Sequence, residues 1–215
     1  MPDIIDASIS DYLLSHCTPA DDVLRDLAEE TYAKYPDGDA GMQISHDEGA
    51  FLTLLVQLTG VANAVEIGTF TGYSSICIAR GLRPGGRLLA CDVSDEWTSI
   101  ARTYWKRAGL DDRIELRLAP ALDTVRALPP DPVIDFVFLD ADKTGYPAYY
   151  EEIVPRLRPG GLLVIDNVLR GGGVLTPRDP SSQAVATLND RIVTDDRVDS
   201  VMLPVRDGVT LARRR

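Results

Sequence analysis

Hydrophobic residues recur along the chain in a pattern that predicts a sheet with helices between its strands. Beyond about residue 60, five short apolar runs are separated by segments of helical length and composition. Alternation of this kind is typical of repeated βαβ units, which build a parallel sheet. The five runs are AVEIG, RLLACD, RIELRLA, IDFVFLD and GLLVID.

The two ends of the chain complete the predicted architecture. In the tail, two alternating runs flank an Asp-Gly turn at Asp207-Gly208, which predicts an antiparallel hairpin at the sheet edge. Near the start, two helical patterns follow each other from Ser8 to about Lys34. The expected fold class is α/β: a doubly wound, mostly parallel seven-stranded sheet with an antiparallel C-terminal hairpin, helices on both faces and N-terminal helices.

Length and composition fit one globular domain. The chain has 215 residues, of which 45% are hydrophobic and 26% charged, so it can build a real core and is not of the disordered or coiled-coil classes. We expect a single domain over residues 1–215. It would consist of a helical lead-in and pocket loop over residues 1–45 and an α/β core over residues 61–215.

A capping-box pattern precedes the sheet. Ser45 at the N-cap and Glu48 three residues later predict a helix that continues to about Leu58. His46 falls in its first turn, where we expect it to be exposed. No metal-ligand spacing links it to the other histidine, His16.

Candidate chemistry lies where two predicted strands end. Asp140, Asp142 and Lys143 follow the fourth apolar run, and Asp166 and Asn167 follow the fifth. Parallel sheets bind ligands beyond the carboxyl ends of their strands, and carboxylate and amide oxygens suit Mg²⁺. The alternative is that these residues only cap local helices and turns. Because two adjacent strand ends carry the same ligand chemistry, we favour a metal site.

The first two strand ends indicate a cofactor. Gly68 belongs to a Gly-rich turn, but Phe70 stands where a dinucleotide fingerprint requires its second glycine, which argues against a pyrophosphate ligand. Asp92 ends the second strand, and an acid there suits ribose hydroxyls. Together they favour a nucleoside-bearing cofactor without a pyrophosphate. The alternative is a tight turn without a ligand.

The net charge and the cysteines limit the partners and the cellular location that we expect. With 22 Lys and Arg against 33 Asp and Glu, the net charge of -11 disfavours nucleic acid and anionic membranes. Cys17, Cys77 and Cys91 form no CxxC pair, and we expect buried, reduced thiols at Cys77 and Cys91. The chain shows neither a signal-peptide pattern nor an 18-residue apolar run, so we expect a cytoplasmic protein.

Several motifs together carry a family resemblance. AVEIGTFTGYSS, ACDVS, LDADKTGYPAYYE, RPGGLLVIDNVLRGG and LPVRDGVTLA resemble successive motifs of the class I, cation-dependent O-methyltransferases that use S-adenosylmethionine. This family includes catechol and caffeoyl-CoA O-methyltransferases and many small bacterial enzymes. The resemblance covers nearly the whole chain from Met42 onward, and DADK with a later DN is its specific part. It implies a Rossmann-like fold and a homodimer.

The resemblance also implies a role for each matching residue. Lys143 matches the proposed base of the family. The implied ligands of a divalent cation, most often Mg²⁺, are Asp140, Asp166 and Asn167. The implied cofactor residues are Met42, Ile44, Glu66, Gly68, Thr69, Ser74, Asp92, Ala121 and Asp142.

We therefore expect methyl transfer from S-adenosylmethionine to a hydroxyl of a small phenolic, catechol-like acceptor. Alternatives are a hydroxyuridine in tRNA as the acceptor, a nicotinamide-dependent oxidoreductase, and a binding protein without catalysis. The segment from Val168 to Ser182 is predicted to form a mobile loop, which lines the acceptor pocket with residues 35–44. Arg170 in this loop either meets an acidic substrate or is solvated.

Overall fold

The computed structural model describes residues 6–36, 39–131 and 133–215. The start of the predicted lead-in and part of the pocket loop, residues 1–5 and 37–38, lie outside the described residues. The helices are α1 (Ala7–Ser15), α2 (Asp22–Lys34), α3 (His46–Thr59), α4 (Tyr73–Gly81), α5 (Asp95–Arg107), α6 (Ala121–Ala127), α7 (Tyr146–Ile153) and α8 (Pro180–Val193). The strands are β1 (Asn63–Ile67), β2 (Arg87–Asp92), β3 (Ile114–Leu118), β4 (Ile134–Leu139), β5 (Leu157–Asp166), β6 (Val198–Leu203) and β7 (Val209–Arg214).

The strands form one seven-stranded sheet in the order β3-β2-β1-β4-β5-β7-β6. The neighbours from β3 to β5 pair in parallel, whereas β7 is antiparallel to both β5 and β6. This confirms the predicted fold class, including the C-terminal hairpin at the edge. The strand order reverses between β1 and β4, and such a switch point opens a crevice beyond the carboxyl ends of the strands.

Strand β4 shows why the sheet needs helices on both faces. All six of its residues are buried. Phe136 and Phe138 belong to one hydrophobic cluster, while Val137 and Leu139 belong to the other. Because successive side chains of a strand point to opposite faces, a continuous apolar run requires a core on each side.

Helix α3 begins where the sequence predicts, but the predicted capping box does not form. Ser45 is the N-cap residue, yet its side chain makes no capping hydrogen bond. His46 is half-buried rather than exposed: its ring nitrogens lie 2.9 Å from the Tyr73 hydroxyl and 2.6 Å from the Thr18 carbonyl. The helix start is therefore fixed by tertiary contacts. Glu48 is buried rather than placed at an exposed helix start.

The segment after β5 is braced against the turn between β6 and β7. The backbone N–H of Leu169 donates to the Asp207 carbonyl at 2.9 Å, and the N–H of Gly171 donates to the Asp207 carboxylate at 2.6 Å. The Asn189 side chain of α8 donates to the Val168 carbonyl at 2.9 Å. The predicted loop therefore contains a kinked 3-10 segment, Arg170–Leu175, which is interrupted at Gly171 and Gly172 and is tied to two other elements.

Two further expectations concern the cysteines and the membrane. Cys77 and Cys91 are buried thiols, as predicted. Burial raises the pKa of each of these thiols to about 12, so both stay protonated and inert near neutral pH. Within the described residues, no helix is long and apolar enough to cross a membrane.

Candidate active site

The sheet register aligns the chemistry-bearing strand ends. Ile67 of β1 pairs with Leu139 of β4, and Leu139 pairs with Ile165 of β5. The residues that follow these three positions are Gly68, Asp140 and Asp166. They lie side by side at the carboxyl edge of the sheet because parallel strands end at a common edge.

A cavity of about 670 Å³ opens at this edge. Every predicted site residue except Glu66 contributes to its lining. Residues that the sequence analysis did not select also line it: Glu48, Phe70, Trp97, Tyr149, Arg206 and Asp207. A partly enclosed space of this size is typical of a small-molecule or cofactor site.

Backbone strain is concentrated in the same cavity. Among the described residues, the non-glycine residues with a positive φ are Phe70, Asn167, Arg170 and Arg206, with φ between 47° and 56°. All four line the cavity. Residues in this left-handed region persist where the surrounding structure holds them, and they cluster at functional sites. The strain therefore marks the same place as the aligned strand ends.

Gly68 allows two strand ends to approach each other closely. Its φ is 91°, and a Cβ added there would lie 1.9 Å from the carbonyl oxygen of Asp140. A glycine at this position is therefore required by both conformation and space. The Gly-rich turn and the Asp140 end of β4 are consequently in direct backbone contact.

Asp92 fixes the Gly-rich turn against β2. One carboxylate oxygen accepts the backbone N–H groups of Thr69 and Phe70, at 3.0 and 2.9 Å. The other accepts those of Val93 and Ser94, at 2.7 and 2.9 Å. The carboxylate therefore holds the turn in place, and its contact with a ribose stays a prediction.

Glu66 lies fully buried beneath this turn. One of its carboxylate oxygens accepts the hydroxyls of Ser75 and Thr69, while the other has no hydrogen-bond partner among the described residues. Burial raises the pKa of Glu66 to about 7. A buried acceptor of this kind fits a site where a hydrogen-bond donor of a ligand arrives.

Glu66 predicts a pH dependence of stability. The folded-state pKa of Glu66 lies above the ordinary value of 4.5, so the buried carboxyl group is most stable when protonated. Its contribution to the free energy of unfolding is therefore fully present below about pH 4.5 and is lost as the pH rises through about 7. For the cofactor-free protein we expect a loss of roughly 3 kcal/mol from this group over that range. Glu66→Gln should remove it.

The measurement is the free energy of unfolding by urea at several pH values for both proteins. Asp166 titrates in the same range, but it does so in both proteins, so the difference between the two profiles isolates Glu66. Parallel profiles would show that Glu66 does not titrate in this range.

The three predicted metal ligands lie in the same cavity, and two of them, Asp140 and Asp166, carry like charges. The Asp166 carboxylate accepts the backbone N–H and the side-chain amide of Asn167, at 2.6 and 3.0 Å. Asp166 is 3% exposed, and burial together with the charge of Asp140 raises its pKa to about 7. Two carboxylates that repel each other in a buried site are stabilised when a cation joins them.

Glu48 is the residue that the sequence analysis misassigned. It is 1% exposed, and burial together with the charges of Asp166 and Asp140 raises its pKa well above the ordinary value. One of its oxygens has no hydrogen-bond partner among the described residues. The capping-box interpretation was therefore wrong: Glu48 turns inward to the Asp166 carboxylate, with which it shares a hydrogen bond.

The side-chain oxygens of Asp140, Asp166 and Asn167 are of the types that bind a hard divalent cation. The set consists of carboxylates and an amide carbonyl, the ligand types that Mg²⁺ and Ca²⁺ take. Within the described part of the chain, no group of three or more His, Cys, Asp or Glu side chains is close enough to hold a metal. Any site here would consequently need the Asn167 amide and ligands from outside the protein.

Lys143 stands at the centre of a short hydrogen-bond chain. Its ammonium group donates to the Asp140 carboxylate at 2.6 Å and to the Tyr146 hydroxyl at 2.7 Å. Tyr146 is fully buried, and its hydroxyl donates to the backbone carbonyl of Asp166 at 3.1 Å. Lys143 is therefore oriented by the same two strand ends that carry the carboxylates.

Asp142 makes the local contacts of a capping residue. Its carboxylate accepts the N–H of Gly145 at 2.9 Å and the hydroxyl of Tyr149 at 2.8 Å. The capping alternative thus holds for this aspartate, which also lines the cavity. These bonds do not test the predicted contact of Asp142 with the cofactor, which stays a prediction.

An aromatic cluster covers the other end of the cavity. The Phe70 ring packs edge-on against Trp97, with centroids 5.3 Å apart, and lies 5.7 Å from the Tyr35 ring. Such packing offsets part of the strain of the left-handed backbone at Phe70. Flat apolar surface beside the Gly-rich turn suits the base of a nucleoside.

Comparison with known proteins identifies the family of the chain. Residues 14–215 match the model of a protein family described as O-methyltransferase. A probable caffeoyl-CoA O-methyltransferase 1 of Dictyostelium discoideum is 38% identical over 213 residues, covering 96% of this chain and 92% of that protein. The chain belongs to the O-methyltransferase family.

Solved structures agree with this assignment. An O-methyltransferase from Bacillus cereus in complex with SAH is 34% identical, covers 97% of both chains and has a TM-score of 0.87. The O-methyltransferase TomG of Streptomyces achromogenes in complex with SAM is 31% identical, with 96% of both chains covered and a TM-score of 0.86. The chain is thus an S-adenosylmethionine-dependent O-methyltransferase with a Rossmann-like fold, and the nicotinamide alternative is wrong.

Proposed function

We propose that this O-methyltransferase acts on a hydroxyl of a small, catechol-like phenol and requires a divalent cation, most often Mg²⁺. The observation that carries the proposal is the pair of carboxylates at neighbouring strand ends, where burial and the charge of Asp140 raise the pKa of Asp166. Relatives named caffeoyl-CoA O-methyltransferase in Dictyostelium discoideum and Zea mays support an acceptor with a phenolic ring.

Each residue of the strand ends has a part in the proposed reaction. Asp140, Asp166 and Asn167 would hold the cation, which when bound favours the deprotonated form of a nearby phenol. Lys143, which Asp140 and Tyr146 orient, would accept the phenolic proton after its own ammonium group has released a proton to solvent. The chain mainly orients the acceptor oxygen and the methyl group, and such positioning accounts for roughly 7 to 11 kcal/mol of a barrier.

The remaining site residues are proposed as the cofactor pocket. Gly68, Thr69 and Ser74 would contact the cofactor from the Gly-rich turn, with Glu66 beneath it and Asp92 at the ribose. Met42 and Ile44 would close the pocket from the preceding loop, and Ala121 and Asp142 would line its far side. A homodimer and a cytoplasmic location also remain predictions.

A methyl-transfer assay over a panel of catechols and matched monophenols tests this function. We expect turnover of catechols alone, reduced at least roughly tenfold by a chelator and restored by added Mg²⁺. Turnover that is insensitive to the chelator, or equal turnover of the monophenols, would contradict the cation mechanism. The family assignment would survive either result.

A hydroxyuridine in tRNA is the alternative acceptor from the sequence. The net charge of -11 opposes binding to a phosphate backbone. A salt-dependent gel shift with bulk tRNA would favour this acceptor over a small phenol.

A further inference from the structure

Glu48 reaches the predicted cation ligands from outside the sheet. It lies in the first turn of α3, is 1% exposed and lines the cavity together with Asp166. The predicted ligands themselves, Asp140, Asp166 and Asn167, all come from the ends of β4 and β5. Glu48 therefore brings a carboxyl group from the helix layer into the site, and the proposed reaction gives that group no part.

Glu48 donates a hydrogen bond to the Asp166 carboxylate. The two side chains share one hydrogen bond, and an ionised carboxylate can only accept, so one of the two groups supplies the proton. Asp166 already accepts the backbone N–H and the side-chain amide of Asn167, at 2.6 and 3.0 Å, and such bonds favour its ionised form. Glu48 is therefore the donor, and Asp166 is held from its own strand end and from α3.

The start of α3 is fixed on the side away from the sheet end. A Cβ added to Gly49 would lie 2.8 Å from the Cys77 sulfur and 3.1 Å from the Tyr73 ring, so helices α3 and α4 are in close contact there. The His46 ring lies 2.9 Å from the Tyr73 hydroxyl. Glu48 thus extends from a backbone that is packed in place, and a donor fixed in this way restricts the orientation of the carboxylate it contacts.

The geometry does not make Glu48 a cation ligand itself. A cluster of Glu48, Asp140 and Asp166 around one point would be a group of three carboxyl side chains. Among the residues that the structure describes, no three His, Cys, Asp or Glu side chains lie close enough together to hold a metal. The second oxygen of Glu48 is buried and has no hydrogen-bond partner among these residues. Any effect of Glu48 on a cation consequently passes through Asp166.

We propose that Glu48 is a positioning residue of the cation site, which holds the Asp166 carboxylate in the orientation that binds the cation. Carboxylates that ligate metals are themselves oriented by hydrogen bonds, and loss of such a partner typically weakens metal binding roughly 10- to 100-fold. The inference rests on the proposed function, which assigns the cation to Asp140, Asp166 and Asn167. It adds that the site needs a hydrogen-bond donor from α3 and not a further negative charge.

Two substitutions separate the hydrogen bond from the charge. In Glu48→Gln the side-chain amide still donates to Asp166, whereas in Glu48→Leu a side chain of similar size has no donor. By electron paramagnetic resonance we expect Glu48→Leu to bind Mn²⁺ roughly 10- to 100-fold more weakly than the wild type. Glu48→Gln should keep most of the affinity. Glu48→Met, whose flexible side chain repacks easily, repeats the test if leucine disrupts the helix start.

The matched control is Asp47→Leu. Asp47 lies in the same turn of α3, is half-buried and does not line the cavity. The substitution removes a carboxylate from the helix start and leaves the bond between Glu48 and Asp166 in place, so Mn²⁺ should bind as in the wild type. Calorimetry should show S-adenosylhomocysteine binding unchanged in all these variants, because Glu48 contacts Asp166 and not the Gly-rich turn.

The results distinguish failure of this inference from failure of the proposed function. Equal Mn²⁺ affinity in Glu48→Leu and the wild type would overturn the positioning role and leave the cation in place, even if urea unfolding showed a loss of stability. Equal losses in Glu48→Gln and Glu48→Leu would make Glu48 a ligand or a source of charge, against this inference. A wild-type protein that binds no Mn²⁺ would contradict the cation of the proposed function, and the positioning role would be overturned with it.

Discussion

Asp166→Asn is expected to lower methyl transfer on the order of 10³-fold while the protein stays folded. A cation that stabilises charge in a transition state is worth several kcal/mol, and each 1.36 kcal/mol corresponds to a factor of ten in rate. The substitution preserves shape but removes a negative charge next to Asp140. Burial and the charge of Asp140 raise the pKa of Asp166, so its ionised form is unfavourable in the cation-free protein. Removal of the Asp166 charge should therefore not lower the stability of that protein at slightly alkaline pH.

Two further variants divide the site into its parts. Asp140→Asn should lose both Mn²⁺ binding and turnover, as Asp166→Asn does. Lys143→Ala should lose turnover while Mn²⁺ and S-adenosylhomocysteine still bind, because the lysine is assigned to the proton and not to the cation. The measurements are Mn²⁺ binding by electron paramagnetic resonance, cofactor binding by calorimetry, and unfolding by urea.

Each result can contradict a different assignment. Normal Mn²⁺ binding in both aspartate variants would remove the cation from these strand ends. Unchanged turnover in Lys143→Ala would remove the base role from that lysine. A large loss of stability in Asp166→Asn would show that the carboxylate serves the fold, through its bonds to Asn167.

The fold was predictable because its signals are local. Strands β4 and β5 are largely apolar, and the ends of β1, β2, β4 and β5 carry a glycine or an aspartate whose position follows from the run that precedes it. The register then brings Gly68, Asp140 and Asp166 together without any further choice. Residues at strand ends can therefore be assigned to a common site from sequence alone.

Residues that reach the site from other elements were not predictable in the same way. Glu48 stands three residues after Ser45, and this spacing fits a capping box, although the side chain lies against Asp166 from a different layer of the fold. Arg206 belongs to a turn whose sequence indicates only a hairpin. Their positions depend on how α3 and the β6–β7 turn pack against the end of β5. No local sequence pattern predicts that packing.

Asp142 shows the reverse case, in which a local interpretation was correct but incomplete. Its bonds to Gly145 and Tyr149 are those of a capping residue, yet it lines the cavity beside Asp140. The spacing of two residues in DADK lets one carboxylate face the cavity centre while the next stabilises the turn that follows. Sequence spacing alone could not say which aspartate does which.

Gly68→Ala should be the most disruptive single-methyl change in the site. The new Cβ would lie 1.9 Å from the carbonyl oxygen of Asp140, a backbone atom that cannot move without displacing the end of β4. We expect a loss of roughly 3–5 kcal/mol in the free energy of unfolding. Cofactor affinity should fall as well, because the Gly-rich turn must shift.

The matched control for this prediction is Gly85→Ala. Gly85 also has a positive φ, of 78°, but a Cβ there would meet no atom within 4 Å. It should lose about 1 kcal/mol, the penalty of the left-handed backbone alone. Urea unfolding and S-adenosylhomocysteine binding are measured for both variants. The difference between them separates the effect of the steric clash from that of the left-handed backbone. If Gly68→Ala lost no more stability than Gly85→Ala, the two strand ends would not be in rigid contact, and the alignment of cofactor turn and carboxylates on which the proposed chemistry depends would have to be given up.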